Sequence, residues 1–166
     1  MGEKLPIILC IQETKLQICD DFVNASVWGA SPHLYSFRPS VGASGGLLTV
    51  WDSNEVEVWD STSGNYFLMT HGNFVKTNEK FFLLNIYAPC NQPARQPLWN
   101  SLSARLALLG DKKVCICGDF NAVRNEEERR SVRNGFMSAD YVPFNCFIDD
   151  NMLVERGRRK TSLKRR

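Results

Sequence analysis

Two short apolar runs in this chain stop abruptly on acids and amides. Leu5-Pro-Ile-Ile-Leu-Cys-Ile11 runs into Gln12-Glu13-Thr14-Lys15, and Val114-Cys-Ile-Cys117 runs into Gly118-Asp119-Phe120-Asn121. Short apolar stretches rich in branched residues and bounded by polar ones are buried strands. Charges placed just past a buried strand lie at the end of a sheet, where sites in α/β proteins tend to form. This pattern points to a layered α/β protein whose polar chemistry gathers at strand ends.

The rest of the chain fits that frame. Gly45-Gly46 opens a strand over Leu47–Trp51, and the alternation in Glu55–Trp59 predicts a half-exposed strand. Tyr66–Thr70 and Phe74–Thr77 are expected as two strands around a turn at His71-Gly72-Asn73. Lys80–Tyr87 is a further strand, stopped by Pro89. Leu98, Leu102, Leu106 and Leu109, with Trp99, recur at helical spacing between Pro97 and Gly110. A last helix is expected over Val142–Met152, with Phe144, Phe147 and Ile148 on one face. Residues 16 to 28 begin as a short helix or loop, Ser31–Ser44 reads as a loop, and Asn125–Asn134 is a charged, exposed segment. Many strands with few helices predict largely antiparallel pairing in an α/β layered protein.

With 166 residues, the chain is one domain or a piece of one, and 43% hydrophobic and 23% charged residues exclude wholesale disorder. Runs such as Phe81–Leu84 are far too short to span a bilayer, and no apolar leader follows Met1. The expectation is therefore a protein that is not secreted and does not engage a membrane. Charge is unevenly spread. Glu155–Arg166 carries seven basic residues against one acid, whereas the first 154 residues hold 13 basic and 17 acidic groups. Residues 155–166 are thus expected as a basic tail, in which Arg158, Arg159, Lys160 and Lys164 either contact nucleic-acid phosphates or are simply solvated. The six cysteines form no C-x-x-C pair and are read as reduced, which places the chain in the nucleus or cytoplasm.

From pattern alone the acids admit two readings. Glu13 and Asp119 are ordinary loop residues ending strands, or they converge to hold Mg²⁺, a hard cation that prefers oxygen ligands and keeps several waters. An ion held there activates water and stabilises the charge of a phosphodiester transition state.

The ordered set "QETK" after one strand, "NIYAP" closing another, a helix, and then "GDFN" resembles the endonuclease/exonuclease/phosphatase superfamily. "GDFNAVRNEEERR" and "FNCFIDDNMLVE" look most like its plant non-LTR (LINE-type) retrotransposon endonuclease branch. The resemblance covers about residues 7–154. It implies an incomplete DNase-I-like four-layer α-β-β-α sandwich, a partial domain over residues 1–154, and Mg²⁺-dependent (or Mn²⁺-dependent) phosphodiester hydrolysis on DNA. Position by position it implies that Glu13 is the metal ligand and that Asp119 orients or activates the attacking water. Asn121 and Tyr87 would contact the scissile phosphate.

The departures also bear on function. Only 12 residues precede Glu13, so the family's first strand with its Asn is expected to be missing. The chain also stops before the family's closing "SDH"-like motif with its catalytic His. His33 and His71 match no catalytic position and are read as structural or surface residues. Cys90 stands where the family often has Asn after "YAP". Gly157–Ser162 begins like a family segment and then diverges into basic residues. The expectation is a fragment truncated at both ends, whose hydrolase activity is weak or lost. The alternatives are a catalytically inactive remnant that at most binds nucleic acid, and a small-molecule phosphatase of the same superfamily.

Overall fold

The computed structural model describes residues 6–42, 44–124, 141–155 and 162–165, with the backbone alone for Ser44 and for 162–165. In chain order the elements are β1 (Ile8–Gln12), α1 (Asp21–Trp28), β2 (His33–Val41), β3 (Ser44–Asp52), β4 (Val56–Ser63), β5 (Phe67–Phe74) and β6 (Glu79–Tyr87). Then follow α2 (Gln92–Leu109), β7 (Val114–Asp119), α3 (Tyr141–Asp150), β8 (Leu153–Glu155) and β9 (Ser162–Arg165).

The strands form two sheets, one ordered β1-β3-β2 and the other β4-β5-β6-β7-β9-β8. Among the described strands only β6 and β7 pair in parallel. The sheets pack face to face through Trp51, Val56, Phe81 and Leu83, with Ile8, Cys10, Cys115 and Cys117 at the margin of the cluster. All six cysteines are thiols outside any disulfide. Outside the smaller sheet, Trp28 of α1 covers Leu48 and Val50. Outside the larger sheet, α2 and α3 bury Leu98, Trp99, Leu102, Phe144 and Phe147 against Leu84, Ile86 and Ile116. The order helix, sheet, sheet, helices is the expected four-layer sandwich. Leu47, Leu84, Ile86 and Leu102 are fully buried, and each contributes about 1.5–3 kcal/mol through lost apolar hydration.

Local chemistry sets the element ends. Asp20 caps α1 by accepting a hydrogen bond from Val23 N at 2.9 Å. Pro93 stands in the first turn of α2, where its missing N–H costs nothing.

Three sequence expectations are corrected. The Ser31–Ser44 segment is largely strand β2, not loop. Tyr35 and Phe37 pack toward the Trp28–Leu48–Val50 cluster, and Pro39 is tolerated because β2 is an edge strand. His71-Gly72-Asn73 is not a turn but part of the continuous strand β5, and the turn falls on residues 75–78, within the expected Phe74–Thr77 strand. A Cβ on Gly72 would lie 1.9 Å from Glu57 O, beside the β4 register shift between Val58 and Asp60, so this glycine marks a close strand approach. Finally, α2 begins at Gln92 and contains Pro97 rather than starting after it. The interior proline is held there by the buried Leu98, Trp99 and Leu102 face.

The α3 expectation stands, with Phe144, Phe147 and Ile148 buried. Within the segment expected as a basic tail, Ser162–Arg165 forms β9, paired with both β7 and β8. The Asn125–Asn134 segment lies outside the described residues.

Candidate active site

The parallel pair β6 and β7 ends with Tyr87 opposite Asp119 in register. The C-terminal ends of adjacent parallel strands are the usual place for a site in such sheets. Gly118 permits the register. Its φ is +136°, and a Cβ there would lie 1.9 Å from Ile86 O. Only a residue without a side chain lets β7 come that close. Ala88 N then donates to Asp119 O at 2.8 Å, fastening the chain after β6 to the end of β7.

Glu13 arrives from the other sheet. β1 ends at Gln12, and Glu13 and Lys15 have φ of +55° and +58°. Thr14 N and Lys15 N donate to Gly46 O and Gly45 O at 3.3 and 3.0 Å, which holds this kinked segment against β3. Gly46 has to be glycine, since a Cβ would lie 2.3 Å from the Thr14 hydroxyl. Left-handed backbone at non-glycine residues costs roughly 1–3 kcal/mol and concentrates at functional sites.

Asn85 joins the sheets directly beneath. It is fully buried. Its Oδ1 accepts from Gln12 Nε2 at 2.7 Å, and its Nδ2 donates to Leu48 O at 3.1 Å, with Ile11 O and Thr49 Oγ1 at 3.3 Å. This amide clamps the residue before Glu13 to the strand that carries Tyr87.

The result is a convergence of Glu13, Tyr87 and Asp119. Burial pushes the Tyr87 phenol above its ordinary value. The negative charges of Glu13, Cys90 and Asp119, and a hydrogen bond to the Glu13 carboxylate, push it the same way. Tyr87 is therefore a protonated donor. Lys15 Nζ lies 3.4 Å from Glu13 Oε1. Asn121, at φ +46°, is a left-handed residue just past β7. Its N–H bonds Asp119 Oδ1 at 2.9 Å, its Nδ2 donates to Ala88 O at 2.7 Å, and Arg95 donates to its carbonyl. One amide N–H of Asn121 is thus committed, and a primary amide has a second for a ligand.

All four residues singled out from sequence as catalytic or metal-binding are brought to one place. The basic residues are not brought into view: Arg158, Arg159 and Lys160 lie outside the described residues, and of Lys164 only the backbone in β9 is described. His71 is stacked on Phe82 at 5.0 Å, and His33 hydrogen-bonds Ser31 O at 2.8 Å. Sequence reasoning missed Asn85 and Arg95. Asn85 had a signal, a lone amide inside the apolar run Phe81–Tyr87. Arg95, on an apparently polar helix turn, had none.

Among the described residues, no group of three or more His, Cys, Asp or Glu forms a metal cage. The donor set fits a different kind of site. Two carboxylates delivered from facing sheets to one phenol suit Mg²⁺, which binds through one or two carboxylates and keeps its waters.

A model of the "Endonuclease/Exonuclease/phosphatase family" matches residues 1–158. The chain belongs to this family. Its enzymes are typically dependent on divalent metal ions. Among solved structures the chain is similar to an AP endonuclease from Leishmania major, with 17% identity and a TM-score of 0.68, covering 90% of this chain and 59% of that one. It is similar to the human nocturnin catalytic domain, with 16% identity and a TM-score of 0.62, again covering 90% and 59%. It is also similar to a mannosyl-6-phosphatase from Bacteroides thetaiotaomicron, with 10% identity and a TM-score of 0.65, covering 96% and 71%. At these identities the likeness is one of fold. The chain spans about three fifths of the length of the first two. No curated protein sequence matches it. Among the described residues no helix is long and apolar enough to cross a membrane.

Proposed function

We propose that this chain is the catalytic part of an Mg²⁺-dependent phosphodiesterase acting on DNA, of the non-LTR retrotransposon endonuclease type. The observation that carries the reading is the convergence of Glu13, Tyr87 and Asp119, delivered by strands of two different sheets. Loop acids that merely end strands have no reason to share a phenol.

Glu13 would hold the ion, with Asp119 near it. When bound, Mg²⁺ supplies charge neutralisation for a phosphodiester under attack. The chain's own residues do the remaining work. Asp119, fixed by the Asn121 N–H, accepts a hydrogen bond from the attacking water and aims it. Tyr87 keeps its proton and turns it from the Glu13 carboxylate to a phosphate oxygen when substrate binds. The second N–H of the Asn121 amide does the same. Such preorganised donors are worth about 10²–10³ in rate each. The motif set of the LINE-type branch supports DNA as the substrate and Mg²⁺ as the ion.

A second reading is a nucleic-acid-binding protein without cleavage. It is supported by the positions of both histidines, one stacked on Phe82 and the other bonded to Ser31, neither of them a partner of the acids. The test is nicking of supercoiled plasmid beside hydrolysis of p-nitrophenyl phosphate, each with Mg²⁺, with EDTA and with Asp119→Ala. Nicking that needs both Mg²⁺ and Asp119 is the expected result. Release of nitrophenol without nicking would replace the nuclease with a phosphatase. Salt-dependent DNA binding with no hydrolysis would replace it with the binding protein.

A further inference from the structure

Beside Tyr87 opens a cavity of about 640 Å³, and apart from Tyr87 the proposed chemistry uses none of its wall. Its wall combines Arg38 of β2, Asn65 and Tyr66 of the β4–β5 connection, Tyr87, and Asn91 before α2. No carboxylate is among its lining residues. It borders the candidate site, because Tyr87 lines it, and Tyr87 N donates to Tyr66 O at 3.0 Å.

Arg38 is built into this wall. Its Nε donates to Gly64 O at 2.6 Å, which fixes the plane of the guanidinium. A Cβ placed on Gly45, another lining residue, would lie 3.8 Å from Arg38 Nη1, so that end of the fork borders the cavity. No described acid pairs with Arg38, whereas Lys76 and Lys113 each have a glutamate. An oriented, half-buried guanidinium without a carboxylate is a receptor for an anion of matching fork geometry, above all a phosphate. Tyr66 is half-buried and backed by the core cluster of β5, β6 and α2, giving a rigid aromatic surface. Asn65 and Asn91 supply amide donors and acceptors at the rim.

A cation for phosphate, an aromatic face for a base and amides for base edges form a nucleotide-binding set. We propose that this cavity holds the nucleoside phosphate next to the scissile one, its phosphate on Arg38 and its base against Tyr66. The inference rests on the phosphodiesterase reading and adds a subsite to it. One strand of the substrate is gripped between Tyr87 and Tyr66, so the shared chemistry is a nucleoside phosphate. The occupant is a nucleotide within a strand rather than a free one, because the cavity adjoins the acids instead of enclosing them.

The test is fluorescence anisotropy of the full chain with a labelled oligodeoxynucleotide in Ca²⁺ at fixed salt, alongside plasmid nicking in Mg²⁺. Arg38→Gln and Tyr66→Ala are each expected to weaken binding about tenfold or more, from one lost charged hydrogen-bond pair or one lost stack. Tyr66→Phe should bind as the wild type does, and so should the distant Lys76→Gln. Deoxyadenosine monophosphate should compete more weakly than the oligonucleotide. In case a variant fails to fold, NMR titration of the wild-type chain with that mononucleotide should shift Arg38 and Tyr66 signals first. Wild-type nicking with undiminished binding in Arg38→Gln and Tyr66→Ala would overturn the subsite alone. Competition by the mononucleotide equal to that by the oligonucleotide would overturn the strand assignment. Absence of both nicking and oligonucleotide binding in the wild type would overturn the subsite and the phosphodiesterase reading together.

Discussion

Replacing Asn85 by alanine tests how the two sheets are locked behind the acids. The side chain is fully buried and engages Gln12, Ile11, Leu48 and Thr49. Alanine leaves the Gln12 amide and the buried Thr49 hydroxyl without this partner, and each orphaned group costs roughly 1–3 kcal/mol. The Ile11 and Leu48 carbonyls belong to paired strands, so their loss weighs less. The expected destabilisation is about 2–4 kcal/mol, a large share of a marginal fold. Urea denaturation should show a lower midpoint at unchanged m, by about 1–2 M for an m near 2 kcal/mol/M. Asn85→Leu fills the space yet leaves the same groups unpaired, so it should be no better. Asn100→Ala, exposed on α2, should stay within about 0.5 kcal/mol of wild type. A loss below about 1 kcal/mol for Asn85→Ala would refute the reasoning, because the amide would then not be the clamp between the sheets.

Other expectations follow from single contacts. Gly118→Ala puts a methyl into Ile86 O and strains a positive φ, so a loss of about 3 kcal/mol or more is expected as a fall in the thermal midpoint followed by circular dichroism. Phe144→Ala should cost about 3–5 kcal/mol in urea unfolding, since this ring is buried among Trp99, Phe120 and Phe147. Tyr87 sets an alkaline limb. Its native pKa is raised by burial and by Glu13, Cys90 and Asp119, so the folded chain keeps a proton that the unfolded phenol loses near about pH 10. Its contribution is whole below that pH and is lost as pH rises through the native value. Urea midpoints between pH 8 and 11 should fall less steeply in Tyr87→Phe.

What the sequence revealed follows from where local and long-range forces agree. Ile8–Gln12, Glu79–Tyr87 and Val114–Asp119 are apolar strands with polar ends, and local pattern and burial point the same way. β2 was hidden because its Pro and Ser residues outvote Tyr35 and Phe37, which find their core only when α1 and β3 are in place. Gly72 read as a turn because nothing local distinguishes a bend from a close strand crossing. The acids proposed for the site, Glu13 and Asp119, were legible through their motifs. The supports were not: Arg95 meets Asn121 only across 26 positions, and Asn85 meets Gln12 across 73. Arg38 and Tyr66 belong to no sequence pattern and meet only in the fold, where they line one cavity and interact electrostatically.

The central claim is that Glu13, Tyr87 and Asp119 form one divalent-cation site. Titration of isotopically labelled chain with Mn²⁺, followed by NMR line broadening, tests it directly. The account predicts that signals of Glu13, Tyr87, Gly118 and Asp119 broaden first, that Mg²⁺ competes the effect away, and that Glu13→Gln abolishes it. Broadening centred elsewhere, or unchanged by Glu13→Gln, would contradict the claim.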